Sequence, residues 1–283
     1  SLGVNSWSCW VRQKNKELER GSQSGSRKLK LFKTDLLSMT PEELNYSLCL
    51  FIKEVRRQDG EPYTPCSIYL QCLGIQQFLF ESGRLDNIFS DPQFEMFSGC
   101  LNDVLQKAHD PSAHSGERIS EAVLWDAKQL GAHSPLVLLN TLMYFNIKDF
   151  HLHTVDDHLK LCFSNVVKQW QKAPKGQSTR VLRWTPSTEG EQEANKFKDQ
   201  HENVEDPLRC PVKLYEFYVS KCPDSVKCRK DAYYMAPDRQ CLPDSPTWYS
   251  SVPLSKDTMA KMLTRFSMVK ELPDLARILF PHS

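Results

Sequence analysis

The residues best equipped for chemistry lie between His151 and His158. There His151, His153, Asp156, Asp157 and His158 follow the apolar run from Pro135 to Phe145. Asp156 and Asp157 can be read as a carboxylate pair for acid–base work. Each feature also has a plainer reading. Aspartates adjacent in sequence seldom converge on one substrate, so helix capping or solvation is the expected role of Asp156 and Asp157. A histidine in such a turn more often caps or packs, and His158 is expected to do so. Neither Arg nor Lys occurs between Lys148 and Lys160.

Ten cysteines stand at 9, 49, 66, 72, 100, 162, 210, 222, 228 and 241, none in a C-x-x-C pair. Reduced, mostly buried thiols in a cytosolic or nuclear protein are the expected state. Cys210, Cys222, Cys228 and Cys241 are the only metal candidates, but their spacings of 12, 6 and 13 fit no zinc motif. Neither a metal nor a cofactor is expected.

A third group is electrostatic. Residues 1–33 carry Arg12, Lys14, Lys16, Arg20, Arg27, Lys28, Lys30 and Lys33 against only Glu17 and Glu19, beside Trp7 and Trp10. Arg12, Lys14, Lys16, Arg27, Lys28, Lys30 and Lys33 are the candidate DNA-contacting residues, since such a segment can track a phosphate backbone. It can equally be a solvated helix face with a linker, or a nuclear import signal. The net charge of the whole chain is only +1, so no global attraction to nucleic acid is built in. Tyr215, Phe217, Tyr218, Tyr233 and Tyr234 could stack on bases, but their helical and strand spacing favours a core.

These groups are positioned by elements that mostly announce their own starts. Thr40-Pro41-Glu42-Glu43 is a capping box with proline at the first helical position, Thr64-Pro65 opens a second helix, and Asp91-Pro92 a third. Trp7 and Trp10 could anchor a short helix before them. Ser120 to Leu130, the apolar run from Ser134-Pro135, a segment from Cys210 and Ser255 to Lys270 read as further helices. Strands are expected around 161–167, at Arg180 to Trp184, at Ala232 to Met235 and at Trp248-Tyr249. The chain divides into a basic segment 1–37, a helical domain 38–112 and a second domain 118–283, with Asp110 to Glu117 as the hinge. Residues 187–206 hold seven carboxylates, two lysines and two sizeable apolar side chains. They are expected to form a disordered insert, because they bury too little to offset their ordering entropy. The longest apolar run is about half of a bilayer span, so no membrane segment is expected. The chain begins with Ser and shows no targeting signal, and is read as a fragment.

The order of the pieces resembles the C-terminal domain of the MYM-type zinc finger proteins and their glutamine-rich relatives. The resemblance rests on Asn5 to Asn15, Asp35 to Asn45, Gly74 to Leu79 and Gly83 to Pro92. It continues in Leu124 to Ala132, Thr154 to Leu159, Arg209 to Lys213 and Ser245 to Tyr249. That family is regarded as descended from the tyrosine recombinase of crypton transposons. The resemblance implies a mainly α fold with a smaller α/β part: a helical core-binding (SAM-like) domain, then a degenerate tyrosine-recombinase catalytic-type domain.

In active recombinases a tyrosine attacks the scissile phosphate while two arginines, a lysine and histidines stabilise the charge. Carried over, the first arginine falls at His153, within a degenerate box of His153, Asp156, Asp157 and His158. Lys172, Lys175 and Arg180 are alternatives for the lysine. No complete His-x-x-Arg box follows Lys270, and no tyrosine follows Tyr249. The resemblance thus implies a catalytically inactive interaction module of a nuclear transcription or chromatin regulator. Its partners would be nuclear regulatory or corepressor proteins, with no small-molecule substrate. Retained, non-cleaving binding of duplex DNA through the N-terminal half is the alternative, and an active strand-transfer enzyme a remote one. The family's zinc fingers are not in this chain.

Overall fold

Residues 1–22, 30–107, 118–172, 176–186 and 196–279 are described by the computed structural model. They fall into two units, Ser1–Ala127 and a second beginning at Lys128.

The first unit is helical. Ser1 caps α1 (Leu2–Gly21), which is far longer than the short helix expected, and Trp7, Trp10 and Val11 form its buried stripe. Thr40 and Glu43 close the expected capping box at the start of α2 (Pro41–Glu54). Thr64 caps α3 (Pro65–Glu81). Asp91-Pro92 opens only a 3-10 turn, Pro92–Phe94, and α4 (Glu95–Gln106) follows it. The rings of Trp7, Trp10 and Phe51 meet with centroids 5.3–5.7 Å apart, in tilted and edge-on geometries that favour aromatic pairs.

Two close fits hold this unit together. Gly3 lies against the backbone of α3, where an added Cβ would stand 2.1 Å from the Gln71 carbonyl oxygen. Arg84 donates to the Leu36 and Met39 carbonyls at 2.8 and 2.7 Å and pairs with Asp86. A short helix, α5 (Glu121–Asp126), belongs to the same unit. The two units meet in sequence at Ala127 and Lys128, and the hinge expected at Asp110 to Glu117 lies outside the described residues.

The second unit is built on α6 (Pro135–Phe150), whose sixteen residues include ten that are buried. After the four-residue α7 (Val155–His158) come β1 (Val166–Lys172), β2 (Ser178–Trp184) and β3 (Lys198–His201). They form an antiparallel sheet in the order β1-β2-β3, with Val166 opposite Trp184 and Leu182 opposite Gln200. α8 (Pro211–Ser220) precedes a two-stranded antiparallel sheet of β4 (Met235–Pro237) and β5 (Tyr249–Pro253). α9 (Lys256–Phe266) and α10 (Leu275–Leu279) follow. The architecture is thus mainly α, and its smaller β part consists of antiparallel sheets.

Several expectations shift. Residues 161–165 are not strand: Phe163–Asn165 is a 3-10 turn, and β1 begins at Val166. Ala232 to Tyr234 lead into β4 rather than forming it. Residues 187–195 of the acidic insert lie outside the described residues, but disorder does not hold for 198–201. There β3 pairs with β2 and buries Gln200. Composition missed this strand because backbone pairing and one buried amide, not apolar area, hold it. Tyr215, Tyr218, Tyr233 and Tyr234 are core residues, with Tyr233 and Tyr234 ring centroids 4.8 Å apart. No helix among the described residues is long and apolar enough to cross a membrane.

Candidate functional site

The box from His151 to His158 is placed by the end of α6. His151 adopts a left-handed conformation (φ 57°, ψ 42°) as the C-cap of that helix and turns the chain out of it. Thr154 and Asp157 then form a capping box for α7. The Asp157 amide donates to Thr154 Oγ1 at 3.1 Å, while Asp157 Oδ2 accepts the Thr154 and His153 amides at 3.1 and 3.2 Å. Lys160 donates to Asp157 Oδ1 at 2.9 Å. Burial opposes ionisation of Asp157, but Lys160, the Thr154 side chain and the His153 and Thr154 amides outweigh it and hold its pKa at about 2.

His158 is 1% exposed and closes a buried polar chain. Its Nε2 lies 3.1 Å from the Leu152 carbonyl oxygen, so the proton sits on Nε2 and Nδ1 must accept. The Tyr234 hydroxyl supplies that hydrogen bond at 2.8 Å. Asn146 Nδ2 donates to Tyr234 at 2.7 Å, and Gln200 Nε2 donates to Asn146 Oδ1 at 2.8 Å. Every hydrogen bond in the chain runs in one direction, from Gln200 to Leu152, which only a neutral His158 permits. Burial pushes its pKa down to about 4. Asn146 and Gln200 were not singled out from sequence, and Tyr234 was read there only as a base-stacking or core aromatic. The one signal was Asn146 itself, a polar residue on a largely apolar helix.

His153, where the resemblance puts an arginine, has a buried Nε2 with no hydrogen-bond partner. Burial keeps this imidazole below its ordinary range, helped by His151 and Lys198 and opposed by Asp157. Asp156 is exposed.

Of the three alternatives for the lysine, Lys175 lies outside the described residues and Lys172 is exposed at the end of β1. Arg180 is committed to Glu202 and Glu216. Lys198 on β3, which is none of the three, also lies beside the box, and its Nζ donates to the Phe150 carbonyl at 2.7 Å. Composition hid it in the acidic segment.

Among the described residues, several of the N-terminal candidates are paired with carboxylates. Lys14 pairs with Glu54 at 2.8 Å and Lys33 with Glu43 at 2.7 Å, while Lys30 reaches Glu43 only at 3.9 Å. Arg12 bonds back to the Ser8 carbonyl, Lys16 is exposed, and Arg27 and Lys28 lie outside the described residues. Cys210 and Cys222 are buried, whereas Cys228 is exposed. Among the described residues no group of three His, Cys, Asp or Glu is arranged to hold a metal ion.

Comparison with known proteins places this geometry in context. A profile described as a domain of unknown function (DUF3504) matches residues 116–268, and the QRICH1 domain matches residues 1–108. The transcriptional regulator QRICH1 of Homo sapiens is 44% identical over 288 residues, covering 96% of this chain and 37% of that protein. Zinc finger MYM-type protein 3 of Mus musculus is 42% identical over 294 residues, covering 96% of this chain and 21% of its own length. Zinc finger MYM-type protein 2 of Homo sapiens is likewise 42% identical, with 97% and 21% covered. The chain thus spans between a fifth and two fifths of the curated relatives it matches. No solved structure matches.

Proposed function

This chain belongs to the family of MYM-type zinc finger and QRICH1-related proteins, and on that premise we propose that it is a non-enzymatic interaction module of a nuclear transcription regulator. The printed name of QRICH1 supports the regulatory part of this reading. Nuclear regulatory or corepressor proteins are the partners it implies, with chromatin as the setting. A helical first half and a second half with an Asp-Asp-His turn support the reading that the chain descends from a tyrosine recombinase whose chemistry has been lost.

One observation carries the loss. Phosphoryl transfer depends on cationic donors aimed at the phosphate oxygens. In this box Asp157 is consumed by capping, His158 is sealed against Tyr234 and Leu152, and no guanidinium is available between Lys148 and Lys160. The groups left are the His153 imidazole, held below its ordinary range by burial, Lys160 paired with Asp157, and Lys198 bound to a backbone carbonyl.

The test pairs a suicide duplex, in which a cleaved strand would remain covalently trapped, with duplex binding measured across a salt series. No covalent species and weak, sequence-independent binding are expected. A trapped adduct would overturn the inactive reading. Tight binding with a steep salt slope would replace it with a non-cleaving DNA-binding domain.

A further inference from the structure

The first unit contains a cavity of about 520 Å³ between α1, α2 and the segment 30–33. Its apolar lining includes Leu18, Leu31, Met39 and Leu50. Phe32 and Tyr46 stack nearly parallel at its edge, 5° apart in plane, and Tyr46 remains 54% exposed. A lysine–glutamate pair stands in the lining on each side, Lys14 with Glu54 and Lys33 with Glu43. Lys30 is the surplus charge, 88% exposed at the side chain and 3.9 Å from a carboxylate already taken by Lys33.

We propose that this groove is a docking site for a short acidic peptide carrying an aliphatic or aromatic anchor residue. The proposal rests on the reading of the chain as an interaction module and specifies the chemistry of its partner. The groove's size and apolar lining fit a side chain or two, and the exposed Tyr46 ring supplies a rigid contact surface of the kind enriched in binding sites. Charge selects the ligand. Three lysines, Lys14, Lys30 and Lys33, line the groove against two glutamates, and Lys30 is the one exposed towards solvent. An acidic partner gains from this surplus, whereas a cationic one meets it at the mouth. A nucleic-acid backbone gains from the same surplus but fits worse, because it has no aliphatic side chain to fill the apolar lining of Leu18, Leu31, Met39 and Leu50.

The probe is a displayed library of random twelve-residue peptides selected on the whole chain, followed by titration of the synthesised winners. Enriched peptides are expected to combine glutamate or aspartate with leucine, phenylalanine or tryptophan. Their affinity should fall at least tenfold in Tyr46→Ala and in Lys30→Glu, both exposed positions that leave the core intact. Exchanging the peptide's acids for lysines should recover binding to Lys30→Glu. No enrichment, or enrichment that survives both substitutions, overturns the proposal while leaving the module reading to other surfaces. Displacement of the winning peptide by duplex DNA, with salt-steep duplex binding lost in Lys30→Glu, overturns the proposal and the module reading together.

Discussion

His158 and Tyr234, 76 residues apart in the chain, meet in the core of the second unit with imidazole Nδ1 2.8 Å from the phenol oxygen. Neither side chain is free for a substrate. The imidazole is held as a neutral acceptor and the phenol as a relay between it and Asn146. A position that sequence marks as chemically capable is thereby turned into a fixed part of the core.

The first prediction concerns pH. An unfolded imidazole takes up its proton near 6.5, but folded His158 does so only near 4. Between these values the unfolded chain binds the extra proton, so stability present above pH 6.5 is lost as pH falls towards 4. The whole effect is on the order of 3 kcal/mol. Asp149 acts in the opposite sense: burial raises its pKa to about 6, so it costs stability as pH rises from 3.8 to 6. Urea midpoints of the wild type and His158→Gln from pH 7 to pH 4 separate the two, because Asp149 contributes equally to both proteins. The wild-type advantage should shrink on acidification, and a constant gap would refute the assignment.

Tyr234→Phe removes one oxygen and leaves the Asn146 amide and His158 Nδ1 without their partner. Buried polar groups stranded in this way cost about 1–3 kcal/mol each. A loss in that range by chemical denaturation is expected, while Tyr46→Phe, at an exposed ring, should change stability little. Equal effects at both positions would contradict the buried chain.

Gly3→Ala should damage the packing of α1 on α3. The new methyl carbon would lie 2.1 Å from the Gln71 carbonyl oxygen, a backbone atom that cannot turn away. Overpacking of this kind costs about 1–3 kcal/mol or more. Gly99→Ala, with nothing within 4 Å, is the control and should be neutral or stabilising. Thermal melting distinguishes the two, and similar midpoints would mean that the helices do not cross so closely.

Arg84→Lys should destabilise the first unit by about 2 kcal/mol despite preserving charge. One guanidinium nitrogen spans the Leu36 and Met39 carbonyls while another meets Asp86. An ammonium group cannot reproduce that planar fork. Hydrogen exchange should rise locally at 36–39, and unchanged protection there would argue against the clamp.

Much of this fold was legible because its signals are local. Thr40 with Glu43, Thr64-Pro65 and Ser134-Pro135 fix helix starts through contacts three residues apart, and those helices formed where the sequence put them. The absent arginine and the family resemblance are likewise properties of the string of residues. What only the tertiary structure decided depends on separations that carry no periodic signal. His158 finds Tyr234 and Asn146 finds Gln200 across 76 and 54 residues. Lys14 is neutralised by Glu54 from a different helix, which turns an apparent basic run into a groove with mixed charge. β3 arises in a segment too polar to advertise a strand, because its partner β2 supplies the hydrogen bonds. Capping geometry is written within one helical turn, whereas the pairing of buried polar groups is settled only when distant elements exclude water together.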